Sequence, residues 1–390
     1  MIRSAKDEVA VKRIAFVTDS VHPYNKGGKE TRLYEISRRL VRDNQEVHIY
    51  TMKWWDGPKV INLEGVYLHA ISKNYPMYTK GRRSITQALL FGLATSNLIF
   101  ERFDVLDVDH MPFYPLFVAR IVTWLKRKRL IATWHEVWGH DYWHEYLNGP
   151  VGIFGSITEW LSFRLPDLII SNSDHTTARL KLAGVTKPII TVPLGVDIKA
   201  VHEAKPSQEK TDVIYVGRLL AHKNVALLIK AIGIVKETRR NIRCIVIGDG
   251  PERKRLYALV TELKLQSNVF LTGFVADNAE IYGYMKSSKV LVLPSVREGF
   301  GLVIIEANAA DIPAITINDP GNAAADLIRH GENGYLSTLK SEKIADRIEA
   351  VLSNESSFEP RCGIEQYDWS FVSSSYEEVI LSDLIGATKK

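Results

Sequence analysis

The chain alternates between short apolar runs that end in polar residues and longer stretches whose apolar positions recur at helical spacing. Arg13-Ile-Ala-Phe-Val-Thr18 is the first run, and Glu30 to Asn44 then places Leu33, Ile36, Leu40 and Val41 on one helical face. Residues Glu46 to Met52, Phe103 to Val108, Leu130 to Thr133, Asp167 to Ser171 and Ile189 to Val192 read as further buried strands, several of them separated by helical segments. From 199 to 211, KAVHEAKPSQEKT loses the apolar period and gathers charge, Pro and Ser, which predicts a domain boundary. The rhythm then restarts. Strands at Val213 to Gly217, Ile242 to Gly248, Val269 to Thr272, Val290 to Pro294 and Ala314 to Ile317 interleave with helices at Val225 to Thr238, Glu252 to Leu265, Asn278 to Lys286 and Leu302 to Ala310.

This alternation predicts an α/β protein with mostly parallel sheets covered by helices on both faces. The expected domains are 1–197 and 198–368, two doubly wound Rossmann-like units facing a central cleft, with a C-terminal helix in 369–390 packing back on the first. In such sheets ligands bind beyond the carboxyl ends of the strands, so the chemistry is expected in post-strand loops.

Composition narrows the class. The 390 residues suffice for two domains, and 46% apolar with 24% charged residues excludes collagen and disorder. Cys244 and Cys362 are the two cysteines; they give neither a disulfide framework nor a metal site and fit a reducing cytosol. Met1 to Arg13 has no apolar core of a secretory signal. The longest apolar run, Ala88 to Phe100, is broken by Thr95, Ser96 and Asn97 and falls short of the roughly 20 residues that span a bilayer. The expected location is the cytoplasm, at most peripheral at the inner membrane face.

The formal charge of +5 is uneven. Residues 1–200 hold 27 Lys+Arg against 20 Asp+Glu, and residues 201–390 hold 23 against 25. The excess gathers at Lys80, Arg82 and Arg83 and at Lys126, Arg127, Lys128 and Arg129, which fits an anionic membrane surface or plain solvated helix ends equally well. Without zinc-finger spacing, an RNP-like sequence or a basic repeat, a specific nucleic-acid reader is not expected.

Four loops carry candidate chemistry. After the first strand, Gly27 and Gly28 directly precede a helix, where backbone N–H groups approach an anion. His135 emerges from the strand Leu130 to Thr133 and is followed by His140, Asp141, His144 and Glu145, whose spacing matches no familiar metal set, and by Trp138, Tyr142, Trp143 and Tyr146, which with Trp134 read as a substrate wall or as core. Gly217-Arg-Leu-Leu-Ala-His-Lys-Asn224 places Arg218 and Lys223 in one loop, suited to a diphosphate. Glu298-Gly-Phe-Gly-Leu-Val-Ile-Ile-Glu306 puts one carboxylate before a helix and another inside it, with the N–H groups near Gly301, Leu302 and Val303 between them. A sugar nucleotide has this layout: hexose hydroxyls, a diphosphate, then ribose. Asp107-Val-Asp109 is read as structural rather than metal-binding.

On these motifs the chain resembles the retaining glycosyltransferases of family 4, with GT-B architecture. The resemblance extends through GGxE at Gly27 to Glu30, His135, GRLLAHKN at 217–224, GDGP at 248–251, GFV at 273–275 and EGFGLVIIEA at 298–307. It implies that Gly28 lets the first domain meet the donor phosphates and that His135 contacts the donor sugar. Arg218 and Lys223 would neutralise the departing diphosphate, Glu298 would hold sugar hydroxyls and Glu306 the ribose, with Gly217, Gly299, Phe300, Gly301, Leu302 and Val303 shaping the pocket and Phe274 and Val275 meeting the base. The family commonly has Met-Ala-Cys-Gly after Glu306-Ala307 and Gly-Gly-x-Pro-Glu in the next loop; here Asn308-Ala-Ala-Asp311 and Asp319-Pro-Gly-Asn-Ala-Ala-Ala-Asp326 stand instead, which leaves sugar and base open. The implied partners are a nucleotide-diphosphate sugar and a glycan, glycolipid or lipid-linked acceptor. No cofactor is required on this reading, and magnesium is compatible with it without being implied. Another GT-B enzyme such as an epimerase, or a non-catalytic nucleotide-sugar-binding module, remains open at this point.

Overall fold

A computed structural model of the chain describes residues 11–79, 82–147, 149–354 and 357–387. The chain divides into two compact units, Met1–Leu194 with Trp369–Lys390, and Gly195–Asp368.

Unit 1 is built on an eight-stranded sheet in the order Ile189–Thr191, Leu168–Ser171, Arg129–Trp134, Val105–Asp109, Arg13–Val17, Glu46–Met52, Val66–Ser72, Val60–Leu63. All neighbours are parallel except the last pair, an antiparallel hairpin at the edge. Central strands such as Val105–Asp109 and Arg129–Trp134 are buried almost throughout, as a sheet covered on both faces requires. The hairpin has no counterpart among the sequence expectations, because Val60–Leu63 is half exposed and offers no continuous apolar run. The apolar run Ala88 to Phe100 forms the end of helix Ile85–Ala94 and a 3-10 stretch, Thr95–Phe100. Among the described residues no helix is long and apolar enough to cross a membrane.

Unit 2 is a six-stranded, wholly parallel sheet in the order Val269–Gly273, Cys244–Ile247, Val213–Val216, Val290–Leu293, Ala314–Ile317, Gly334–Ser337. Helices Val225–Thr238, Asn278–Lys286 and Leu302–Ala309 follow their strands closely. The stretch expected as a linker belongs to this unit. Asp197 caps helix Ile198–Glu203 by accepting the Ala200 N–H at 2.9 Å, and Val201 is fully buried, so the division falls at Leu194/Gly195 rather than after 197. A six-residue helix is too short to display an apolar period.

The last helix, Trp369–Ala387, is part of unit 1. The buried Tyr376 stacks on Phe16 with ring centroids 6.0 Å apart, and its hydroxyl donates to Asp107 at 2.6 Å.

Candidate active site

Strand order reverses in unit 1 between Arg13–Val17 and Val105–Asp109, and in unit 2 between Val213–Val216 and Val290–Leu293. Loops leaving the carboxyl ends of strands flanking such a reversal part to opposite faces and leave a crevice. The charged candidate residues of unit 2 come from the two segments that follow its reversal strands, whereas Phe274 and Val275 follow the edge strand Val269–Gly273; those of unit 1 gather around its own reversal.

In unit 1, Gly27 is extended and caps helix Gly28–Arg42, whose first N–H groups lack intrahelical acceptors. Lys29 in that first turn reaches the fully buried Asp19 at 2.7 Å and Asp109 at 3.6 Å. Asp19 also receives Arg83 at 2.8 Å, and Asp109 meets Nε2 of His135 at 3.1 Å. The backbone N–H of His135 donates to Nδ1 of His110 at 3.3 Å, and the His110 ring stacks on Trp134. Charges thus alternate through Arg83, Asp19, Lys29 and Asp109 to the histidine. Burial would raise both carboxyls, but Lys29 and Arg83 hold Asp19 below the usual carboxylate range, and Lys29 and His135 do the same for Asp109. Burial would likewise lower the Lys29 ammonium, and the two carboxylates instead push it up.

Asp107 and Asp109 have protein partners: Thr133 and Tyr376 hold Asp107, and His135 with Lys29 holds Asp109. His140 and His144 are exposed and contact each other at 3.1 Å. Trp134, Trp138 and Trp143 are buried, so the aromatic group after His135 is largely core rather than an open wall. Of the basic patches, Lys80 lies outside the described residues. Arg83 turns inward onto Asp19, Lys126 donates to the Ile99 carbonyl at 2.8 Å and Lys128 pairs with Asp104 at 3.1 Å, leaving Arg82 and Arg127 exposed.

In unit 2 the two reversal-point loops meet directly. Nζ of Lys223 lies 2.5 Å from Oε1 of Glu298, and the Val296 N–H donates to the His222 carbonyl at 3.2 Å. Lys223, expected as a cation for a diphosphate, is paired here with the carboxylate. Arg218 is exposed, with no partner for its guanidinium among the described residues, while the hydroxyl of Tyr215 donates to its carbonyl at 3.1 Å. The GDGP loop braces this segment: Leu219 N–H donates to the Asp249 carbonyl at 3.0 Å, and a Cβ on Gly248 would lie 1.9 Å from the Gly217 carbonyl oxygen.

Gly301 sits at φ +98° and starts helix Leu302–Ala309 with no side-chain cap, so the Leu302 and Val303 N–H groups face outward for an anion. Phe300 is buried and edge-on to Tyr367, Gly299 and Glu298 precede it, and Glu306 lies in the second helical turn. Burial raises the Glu306 carboxyl to about 7, opposed by a hydrogen bond from Tyr282. Phe274 is 67% exposed beyond its strand, next to Val275. Asp19, Lys29, Arg83, Asp109, Tyr215 and Tyr282 are additions that the motifs did not flag; the polar strand ends were a signal only for Asp19 and Asp109.

Two family models match the chain: Glycosyltransferase Family 4 over residues 26–200 and Glycosyl transferases group 1 over residues 197–368. An uncharacterized glycosyltransferase of Methanocaldococcus jannaschii is 33% identical over 368 residues, 88% of this chain and 89% of that one. A GDP-mannose-dependent alpha-(1-6)-phosphatidylinositol dimannoside mannosyltransferase of Mycobacterium tuberculosis is 26% identical over 54% of this chain, and the match spans 56% of that relative, about half its length. Sucrose-phosphate synthase from Thermosynechococcus elongatus superposes with a TM-score of 0.79 over 96% of this chain and all of that one; at 19% identity the likeness is one of fold, which is GT-B.

Proposed function

The chain belongs to glycosyltransferase family 4, and from that premise we propose that it moves a hexosyl group from a nucleotide-diphosphate sugar to an acceptor hydroxyl with retention at the anomeric carbon. The observation that carries this reading is the meeting of the two reversal-point loops in unit 2. They bring an exposed guanidinium, a lysine–glutamate pair and an open helix N-terminus to one end of one sheet.

Transfer builds negative charge on the leaving diphosphate, and donors fixed in advance at that position lower the barrier because they need not reorganise. Arg218 supplies a two-pronged contact to phosphate oxygens, Lys223 a point charge, and the N–H groups of Leu302 and Val303 the remaining donors. Glu298 orients Lys223 and accepts from sugar hydroxyls. Glu306 accepts from the ribose, and Phe274 and Val275 flank the base. In unit 1, Gly28 opens the backbone to the phosphates and His135, steadied by Asp109, serves the sugar. The leaving phosphate oxygen takes the proton of the acceptor hydroxyl as the new bond forms on the face the diphosphate vacates, so no covalent sugar–protein intermediate arises. These cations do the work of a divalent metal, which the reaction does not require.

The acceptor is a glycan or a lipid-linked sugar. The mycobacterial relative, by its name, acts on a phosphatidylinositol glycolipid, which supports the second. A screen of UDP-, GDP- and ADP-sugars tests the reading, with products resolved by mass and anomeric configuration. Retained configuration with one donor class is expected; binding of every donor without turnover, in the presence of many acceptors, would overturn it.

A further inference from the structure

Helix Pro150–Ser162 of unit 1 is built inside out. Its buried positions are Gly152, Gly155, Thr158, Glu159 and Ser162, whereas Val151, Ile153, Phe154, Ile157, Trp160 and Leu161 are between 40% and 57% exposed. A water-facing helix normally buries its apolar stripe. Here the inner face is already occupied: the Glu159 carboxylate accepts from the N–H groups of Trp138 and Gly139 and from Nε1 of Trp143, each at 2.9 Å. Gly155 leaves room for the Trp143 ring, which a Cβ there would meet at 2.3 Å. Helix Ile85–Ala94 buries Ala88 and Phe91 with Gln87 and Gly92, yet it too leaves Ile85, Leu89, Leu90 and Leu93 exposed.

Between these two helices and the loop at Met111 to Tyr114 lies an open apolar pocket, walled by Ala88, Phe113, Trp138, Trp143 and Tyr146. Ile85, Val151 and Phe154 belong both to this wall and to the exposed surface, so the cavity opens onto the apolar face. The polar groups on the wall are already engaged. Ser84 Oγ accepts from the Gln87 N–H, Gln87 Nε2 donates to Asp19, Thr158 donates to the Phe154 carbonyl and the Tyr146 hydroxyl accepts from the Arg83 N–H. A polar ligand would find little to bond, whereas a hydrocarbon chain loses nothing there.

Charge along the helices of this face is basic, although the adjoining helix Gly139–Tyr146 exposes Asp141 and Glu145. Residues 85–100, 114–129 and 150–164 contain no Asp or Glu other than the buried Glu159, while Arg82, Arg127 and Arg164 are exposed at the helix ends. The Arg164 guanidinium lies 3.5 Å from the Trp160 ring centroid, an apolar body with a charged tip of the kind found at lipid headgroup depth. An unpartnered apolar face of this extent marks an interaction surface, and its charge suits an anionic one.

We propose that this face docks on an anionic bilayer and that the cavity takes one hydrocarbon chain of the lipid bearing the acceptor sugar. The proposal rests on the transferase reading only for the identity of that lipid as acceptor. The test is flotation of the whole protein with vesicles of phosphatidylcholine, with or without phosphatidylglycerol, followed by tryptophan quenching when the phosphatidylglycerol acyl chains are brominated. Flotation that requires phosphatidylglycerol, with bromine quenching, is expected. Ile153→Glu combined with Ile157→Glu should weaken vesicle binding about tenfold or more, while slow donor hydrolysis without vesicles stays unchanged and reports an intact fold. Ala88→Phe, which fills the cavity, should keep flotation and lower the quenching. No flotation, equal binding by the double variant, or a dimer held by this face in sedimentation would overturn the docking. Flotation with no quenching would overturn the chain site. A protein that floats but turns over no donor would sink the transferase reading alone, and one that glycosylates a soluble acceptor without floating would sink this inference alone.

Discussion

Lys223 and Glu298 are joined at 2.5 Å across the two loops that leave the point of strand reversal in unit 2, 75 residues apart in the chain. A lysine so held is positioned before any substrate arrives, and its charge is shared between the carboxylate and whatever phosphate it meets. The pair should therefore behave as one device. Lys223→Met and Glu298→Gln are each expected to lower kcat about 10²-fold or more, and the double variant should be little worse than the poorer single one, because groups acting as a unit are not additive. Steady-state kinetics on the four proteins of that cycle checks it; additive losses would separate the two roles.

Arg218 is different in kind, being exposed and without a partner among the described residues. Its replacement by Ala leaves no buried charge behind, so denaturant midpoints should stay within about 0.5 kcal/mol of the parent. Donor turnover should fall about 10²–10³-fold, the usual cost of losing one donor to a developing anion. Unchanged turnover would remove Arg218 from the phosphate site.

Glu306 is the group to follow by pH. Its carboxyl, raised to about 7 by burial, is protonated in much of the empty protein at neutral pH. A protonated carboxyl accepts poorly from a ribose diol, so donor affinity should climb as pH rises through about 7 and proton release should accompany binding. For stability the sign is opposite: a carboxyl whose folded value is raised gives its full contribution below its unfolded value of about 4.3 and loses it as pH rises toward 7. Titration calorimetry of a nucleoside diphosphate from pH 5.5 to 8.5 reads the first effect, and Glu306→Gln should flatten it.

The buried chain of charges in unit 1 makes a prediction about folding. Asp19→Ala leaves Lys29 and Arg83 without their shared carboxylate, and breaking a buried pair in this way typically costs about 3–5 kcal/mol. Since Asp19 and Asp109 are held below the ordinary carboxylate range, their contribution is present above about pH 4 and is lost as pH falls through their folded values. Urea unfolding at pH 7 and at about pH 2 should show the variant's deficit shrinking at the acid end. Asp109→Asn keeps a hydrogen-bonding partner for His135 and should lower kcat more than it changes stability.

Glycines separate geometry from packing. At Gly301, φ +98° and a Cβ that would stand 2.4 Å from the Ala324 Cβ predict that Gly301→Ala destabilises the protein by about 3 kcal/mol. At Gly28 nothing lies within 4 Å of an added Cβ, so Gly28→Ala should leave the melting temperature almost unchanged while raising the donor KM several-fold. An unaltered KM would show that the phosphates do not approach that backbone.

Much of unit 2 is legible in the sequence because its strands are short, doubly buried and evenly separated by helices. Val225–Thr238, Asn278–Lys286 and Ala314–Ile317 have the same bounds in sequence and structure. The edge hairpin, Gly334–Ser337 and Ser341–Ser353 were not anticipated, and Val60–Leu63 and Gly334–Ser337 expose enough of their residues to blur the apolar pattern. Arg218, Lys223, Glu298 and Glu306 were visible as motifs. The contacts that give them or their counterparts their properties were not, since Arg83 reaches Asp19 across 64 residues, His135 reaches Asp109 across 26 and Tyr376 reaches Asp107 across 269. Periodicity reports which residues turn inward along one element; it carries no record of which strand lies beside which. The choice between wall and core for the aromatic group after His135 was open in the sequence for the same reason: Trp138 and Trp143 are held by Glu159 of the helix Pro150–Ser162, whose own pattern suggests the opposite orientation.

The loop after strand Ala314–Ile317 forms a strand-like bridge to the glutamate: Glu298 N–H donates to the Gly321 carbonyl, Ala323 N–H donates to the Glu298 carbonyl, and Asn322 anchors the loop on Thr316 and Ile317. This loop lies within the stretch, Asp319 to Asp326, whose sequence differs from what the family resemblance leads one to expect. A substitution in this backing loop would thus shift the Glu298 carboxylate from behind, one loop removed, without altering the glutamate itself. Attempts to swap donor preference among such enzymes should graft that backing loop together with the front one, since a glutamate transplanted alone would inherit the wrong mount.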